Sequence, residues 1–212
     1  MPDPGAFALF LMAALVLAVT PGPAVLYVVT RSLGQGRGAA LASTLGIAAG
    51  GLVHVLAAAV GLSVVLATSA TAYALVKYAG AGYLMWLGLR KLTARTAPSS
   101  LEPDAPRSRA RVFWEGVAVN VLNPKTALFF LAFLPQFVRP SAGSPTLQFL
   151  FLGLSFVAVA FCTDTAWALL AGRAGGWLRS HPRFVRSERY VSGSVYFGLG
   201  VATAVSGDGR GR

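Results

Sequence analysis

Charge is scarce in this 212-residue sequence. Only 12% of its residues are Asp, Glu, Lys or Arg, against about 25% in an ordinary soluble domain, which excludes a normal soluble globule. Acidic residues number seven and basic residues 18, for a net charge of +11. A nucleic-acid binder gathers such an excess on one wettable face. Here the basic residues lie between long apolar runs, so the charge reads as membrane topology and no nucleic-acid partner is expected. The single cysteine, Cys162, excludes an intrachain disulfide framework and cannot build a thiolate metal site alone. Three lysines against 15 arginines, with heavy Ala and Gly use, fit a GC-rich bacterium. No Gly-x-x-x-x-Gly-Lys-Ser/Thr loop is present, and Gly34-Gln-Gly36-Arg-Gly38 reads as a flexible turn rather than a dinucleotide fingerprint. No cofactor or metal is expected.

What is abundant is apolar. Hydrophobic residues make up 55% of the chain and the mean hydropathy is +0.64. At about 20 residues per crossing, six crossings fit this length. Charge-free runs span 27 positions over 4–30, 39 over 38–76, 24 over 140–163 and 18 over 190–207. A charge at the bilayer centre costs at least ~2.5 kcal/mol on insertion scales, so these runs mark the spans. The 39-residue run is too long for one span and is divided at Thr68-Ser-Ala-Thr71. Six helices are expected, near 6–30, 39–67, 72–91, 113–138, 146–172 and 189–206. None alternates with the period of a strand.

Of the 18 basic residues, 13 fall in the connections after the first, third and fifth helices, between Arg31 and Arg189. The positive-inside rule places these connections in the cytoplasm and both termini outside. The 92–112 connection, rich in Pro and Ser, reads as a cytoplasmic linker between a first three-helix repeat (1–91) and a second (113–206), with a tail at 207–212. A secretory signal peptide is disfavoured because only Asp3 and the α-amino group precede the apolar run.

The first helix contains Thr20-Pro21-Gly22-Pro23, and the fourth contains Asn120-Val121-Leu122-Asn123-Pro124-Lys125. Proline deep in a span removes a backbone donor and frees carbonyls, which hydrocarbon cannot satisfy. An ordinary kink explains either motif alone. Two breaks at corresponding places in two halves point to a transport site. Three helices per half invert the halves relative to each other, an architecture suited to alternating access.

Lys125 is ~18 Å into the fourth helix and Asp164 ~12 Å from the cytoplasmic end of the fifth, so the two can approach. They are either a fixed ion pair or a working one, in which Asp164, whose bare anion burial disfavours, exchanges a proton or meets a substrate ammonium. His54 reads as a satisfied core histidine or as a relay or substrate contact. Gly46 and Gly50 form a small-xxx-small pattern for close packing within the monomer or in a homodimer. Lys77 is expected to snorkel outward. Glu115 is expected to anchor at the interface beside Trp114, with Trp86 and Trp114 in an aromatic belt.

Together, Thr20 to Pro23, Gly46 to His54, Lys77 to Gly88, Asn120 to Lys125 and Pro135-Gln136-Phe137 resemble the LysE/RhtB family of bacterial amino-acid exporters, over about residues 6–205. The resemblance implies a six-helix inner-membrane carrier that moves amino acids out of the cytoplasm using the proton gradient. The family's fifth helix often carries an acidic residue about one turn earlier, where this chain has Ala160. Asp164 is then a displaced equivalent or a feature of this chain.

The resulting expectation is an all-α polytopic membrane protein exporting neutral amino acids across the bacterial inner membrane by proton antiport. Its expected substrate set is Thr20, Pro21, Gly22, Pro23, Gly50, His54, Asn120, Asn123, Pro124 and Lys125, with Asp164 coupling to protons. Partly positive N-termini at the two breaks would face the substrate carboxylate. Alternatives are an exporter of another small solute or cation, an intramembrane enzyme, or a scaffold. Scarce embedded ligands argue against a cation, and no activated Ser or Cys supports an enzyme.

Overall fold

Asp3 starts the first helix by accepting a hydrogen bond from the Ala6 N–H at 2.8 Å, with Pro4 at a position that needs no donor. The computed structural model describes residues 3–93, 107–180 and 182–205, and the described elements are helical. Most of the expected 92–112 linker and all of the 207–212 tail lie outside the described residues.

The main helices are α1 (Pro4–Val19), α2 (Pro23–Ala57), α3 (Ser63–Thr68), α4 (Ala70–Thr93), α5 (Arg109–Val121), α6 (Pro124–Leu128), α7 (Pro145–Ser180) and α8 (Pro182–Val205). A π-turn at Ala58–Leu62 joins α2 to α3. A second, at Phe129–Phe133, extends α6 into a 3-10 turn at Leu134–Phe137.

Helices therefore occupy each of the six expected segments; the fifth runs on to Ser180 and the sixth starts already at Pro182, and three further differences bear on the site. The segment at 6–30 is split, because Pro21 and Pro23 stop α1 and restart the chain at Gly22, an extended N-cap. Its second part runs on into the next segment through Gly36, whose φ of 75° bends α2 and suits glycine. The fourth segment starts at Arg109, where the Ser108 hydroxyl caps the Arg111 N–H.

By length and apolarity, Pro23–Val65 and Pro145–Gly172 are each sufficient to cross a membrane. The pair Arg109–Val121 and Pro124–Phe137 qualifies as one span bent by 45°. Pro4–Val19 and Gly193–Val205 are apolar and shorter.

Helix α2 packs along α5 and α7, and α4 along α8. Glycine makes the first contact close: a Cβ at Gly50 would lie 2.7 Å from the Val117 carbonyl, and one at Gly116 2.9 Å from the Ser43 carbonyl. The glycine spacing read from the sequence thus serves packing within one chain. Phenylalanines fill the core on the Arg139 side, with the Phe129 and Phe156 rings stacked 4.5 Å apart and Phe10 against both Phe129 and Phe137. Outward, Met12, Leu56 and Val60 are among many large apolar side chains left exposed, a surface suited to lipid.

Candidate functional site

Pro21 has no N–H, so the Leu17 carbonyl four residues earlier loses its intrahelical donor. The Lys125 ammonium takes that place, donating to the Leu17 oxygen at 3.0 Å and to the Thr20 oxygen at 2.9 Å. Thr20 closes α1 by turning its hydroxyl back onto the Val16 carbonyl at 2.6 Å. Gly22 leaves room for the lysine: a Cβ there would sit 3.4 Å from Lys125 Nζ and 3.2 Å from the Tyr196 hydroxyl.

The second break repeats this logic with different residues. Pro124 leaves the Asn120 carbonyl without its helical donor, and His54 Nε2 meets that oxygen at 3.0 Å, with the Asn123 N–H also donating to it. A carbonyl can only accept, so Nε2 carries the proton. The Asn120 side chain is committed at both ends, donating to the Ile47 carbonyl at 2.7 Å and accepting from the Thr126 hydroxyl at 2.9 Å. Asn123 caps α6 by accepting from the Lys125 N–H at 3.1 Å. Its Nδ2 is buried and has no hydrogen-bond partner.

The two breaks meet at a cavity of about 30 Å³ lined by Asn120, Asn123, Lys125 and Asp164, with Ala18, Phe156 and Ala160 among its apolar walls. Lys125 and Asp164, the two charged residues on this lining, are 5% and 4% exposed. This volume holds about one or two waters, less than an amino acid needs.

The sequence pattern of LysE type translocators matches residues 15–207. The chain belongs to the LysE family. A homoserine/homoserine lactone efflux protein of Salmonella typhimurium is 32% identical over 92% of this chain and 94% of its own. An uncharacterized membrane protein of Vibrio cholerae is 29% identical over 93% and 95%. A leucine efflux protein of Klebsiella pneumoniae is 24% identical over 92% of each. No solved structure matches the chain. This LysE-type protein is a transporter and not an enzyme.

In this LysE translocator, four of the expected residues line the cavity together: Asn120, Asn123, Lys125 and Asp164. Thr20 and Gly22 border Lys125, and Pro21, Pro23 and Pro124 make the breaks. Gly50 and His54, expected among the substrate residues, do not line the cavity. Gly50 packs on Val117 and Asn120, and His54 braces the Asn120 carbonyl while stacking on Phe130. Ala160 lines the same wall as Asp164, since residues four apart share a helix face.

Of two charged residues outside the cavity, Lys77 differs from its expected place and Glu115 gains partners that the sequence did not show. Lys77, expected to reach outward, is 2% exposed and lies 5.2 Å from the Tyr78 ring centroid. Glu115, expected as an interfacial anchor, is also the centre of a network. It pairs with Arg31 at 3.1 Å, with Arg111 at 3.1 Å and with Arg107. Tyr27 donates to the Val112 carbonyl at 2.8 Å, and its hydroxyl lies 3.3 Å from Glu115. Sequence spacing shows the i,i+4 pair Arg111–Glu115 but not Arg31, 84 residues away. Asp3, at the start of α1, pairs with Arg139, beyond the 3-10 turn that follows α6, at 2.7 Å.

Proposed function

We propose that this protein is a secondary exporter of neutral amino acids, driven by proton antiport and working by alternating access. The observation that carries the reading is the presence of one cation, Lys125, and one carboxylate, Asp164, on the lining of the cavity where two broken helices meet. An amino acid is a zwitterion and needs one partner of each sign. Its carboxylate goes to Lys125, the Asn123 amide and the partly positive start of α2 at Pro23. Its ammonium goes to Asp164. A second positive charge on the solute would find no second carboxylate among the cavity's lining residues, which favours neutral substrates. The names of the homoserine and leucine efflux relatives agree with that preference.

Coupling follows from exclusion at one group. Asp164 can hold a proton or an ammonium but not both, so proton entry displaces the solute and solute entry displaces the proton. Alternating access is supported by the resemblance between the breaks. In each, proline vacates a carbonyl, and a side chain from elsewhere fills it. Six crossings as two inverted three-helix repeats, with both termini outside a bacterial inner membrane, fit this and the skew of basic residues. His54 and Gly50 hold the wall that carries Asn120. The cavity of about 30 Å³ must widen to admit any amino acid, as an occluded state requires.

Efflux from proteoliposomes loaded with mixed labelled amino acids, with and without an imposed pH gradient, tests the proposal. Gradient-stimulated release of neutral amino acids is expected, and Asp164→Asn is expected to lose the stimulation. Absence of flux for every amino acid would overturn the reading. Unchanged gradient dependence in the variant would remove Asp164 from coupling.

A further inference from the structure

The two ion-pair sites at the ends of the broken helices have a common plan. Arg31 on α2 reaches Glu115 on α5, joining the helix that follows the first break to the helix that precedes the second. Asp3 ahead of α1 reaches Arg139, which follows the turn after α6, joining the opposite ends of the same two broken helices. Each contact therefore ties the first half to the second, one at either end.

The order of residues along the helices places the Arg31–Glu115 contact between two voids. Along α2, Ala24 lines the buried cavity, Tyr27 and Arg31 make the contact, and Gly34 and Gln35 line an open cavity of about 390 Å³. Along the second half, Arg107 and Arg109 line the open cavity, Val112 and Glu115 make the contact, and Asn120 lines the buried one. Arg107 belongs to both the open cavity and the contact. A closure between an entrance and an occluded site is what a gate is.

We propose that Arg31–Glu115 with Tyr27 is the inner gate of the transport path and Asp3–Arg139 the outer gate, opened in alternation. The naming of inner and outer rests on the orientation given under the proposed function. The gates are unequal. At the inner gate, one carboxylate meets three arginines, and the Arg31 side chain is 4% exposed. At the outer gate a single pair is 58% and 45% exposed, an environment in which ion pairs contribute little. Gln148, buried, steadies the outer gate by holding both the N–H and the carbonyl of Arg139, at 2.9 and 2.8 Å. The inner face is thus the harder to open. A solute carboxylate entering the open cavity competes with Glu115 for Arg107, which gives the cytoplasmic substrate its own means of loosening the gate.

The test uses a cysteine at Ala160, on the cavity wall, in the Cys162→Ala background, with a membrane-impermeant thiol reagent applied to inside-out and right-side-out vesicles. Glu115→Gln is expected to raise labelling from the cytoplasmic face about tenfold, the weight of charged hydrogen bonds, without raising it from the outside. Asp3→Asn is expected to raise labelling from the outside about two- to fivefold without raising it from the inside. Exchanging the outer charges, Asp3→Arg with Arg139→Asp, is expected to return labelling part-way to the parent rate, since arginine cannot accept the Ala6 N–H that Asp3 caps. Unchanged labelling at both faces in folded variants overturns the gates, as does an equal rise at both faces, which means general loosening. The same pattern with faces exchanged supports the gates and overturns the orientation. Gated labelling without amino-acid flux supports the gates and overturns the substrate reading.

Discussion

The Lys125 ammonium lies 3.0 Å from the Leu17 carbonyl that Pro21 leaves without a donor, so the break in one half is closed by a side chain from the other. His54 does the reverse, reaching from α2 to the Asn120 carbonyl that Pro124 vacates. Each broken helix is therefore braced by a side chain from the other. Moving the halves apart loosens both breaks and the cavity they enclose.

Lys125→Met removes the donor to two carbonyls and leaves Asp164 buried without its cation. Leaving a buried acceptor without its charged donor costs about 1–3 kcal/mol, so thermal unfolding in detergent should move below the parent and efflux should be lost. Adding Asp164→Asn should recover part of the stability and none of the transport. Lys125→Arg should not rescue, because a planar guanidinium exceeds the space that holds the ammonium.

His54→Ala takes one of the donors from the Asn120 carbonyl, at a cost of about 1–3 kcal/mol. The low end is expected, since the Asn123 N–H still donates to that oxygen. His54→Gln keeps a donor and should stay within about 1 kcal/mol of the parent. Denaturation midpoints of the two variants check this.

Asn123→Ser keeps an acceptor for the Lys125 N–H and deletes only the unpartnered Nδ2. Unfolding should be nearly unchanged while the apparent KM for efflux rises about tenfold, the equivalent of ~1.4 kcal/mol. A variant that transports with parental KM would take the Asn123 amide out of substrate recognition.

Glycine substitutions should divide by neighbour. Gly46 packs on the Phe113 backbone, so Gly46→Ala forces α2 and α5 apart and should cost about 1–3 kcal/mol. A Cβ at Gly82 on α4 meets nothing within 4 Å, and Gly82→Ala should stabilise by about 0.5–1 kcal/mol. Melting temperatures of the purified variants distinguish them.

The carboxyl of Asp3 is held below its ordinary value of 3.8 by the Ala6 N–H first and by Arg139 as well. A depressed carboxylate contributes fully above its unfolded value, and the contribution disappears as pH falls through the folded one. Labelling of the cavity cysteine from the outer face, normalised to that of a free thiol at the same pH to remove the loss of thiolate, should therefore rise as pH drops below about 4. In Asp3→Asn that rise should be absent.

Much of this was legible because a membrane span is a one-dimensional signal. Charge-free runs, basic connections and two proline breaks each lie in contiguous sequence. Asn120, Asn123 and Lys125 belong to one motif, and depth alone singled out Asp164. The functions of Gly50, His54, Lys77 and Glu115 were not legible, because each is decided by a partner on another helix. Spacing along one chain segment shows that Gly50 is small and that His54 is central. It does not show that a carbonyl of α5 stands against each.

By itself, then, the sequence determined the helical class, the places where helices must break, the segments apolar enough for lipid and the sign of charge at each end. These follow from local chemistry: proline has no N–H, and hydrocarbon satisfies no free carbonyl or bare charge. Only the tertiary structure decided that Lys125 closes the break at Pro21, that His54 closes the one at Pro124, and that Arg31 and Asp3 find Glu115 and Arg139. Those pairings span 66 to 136 residues of chain, and a choice among distant donors of like chemistry is made by packing geometry, which no local pattern encodes.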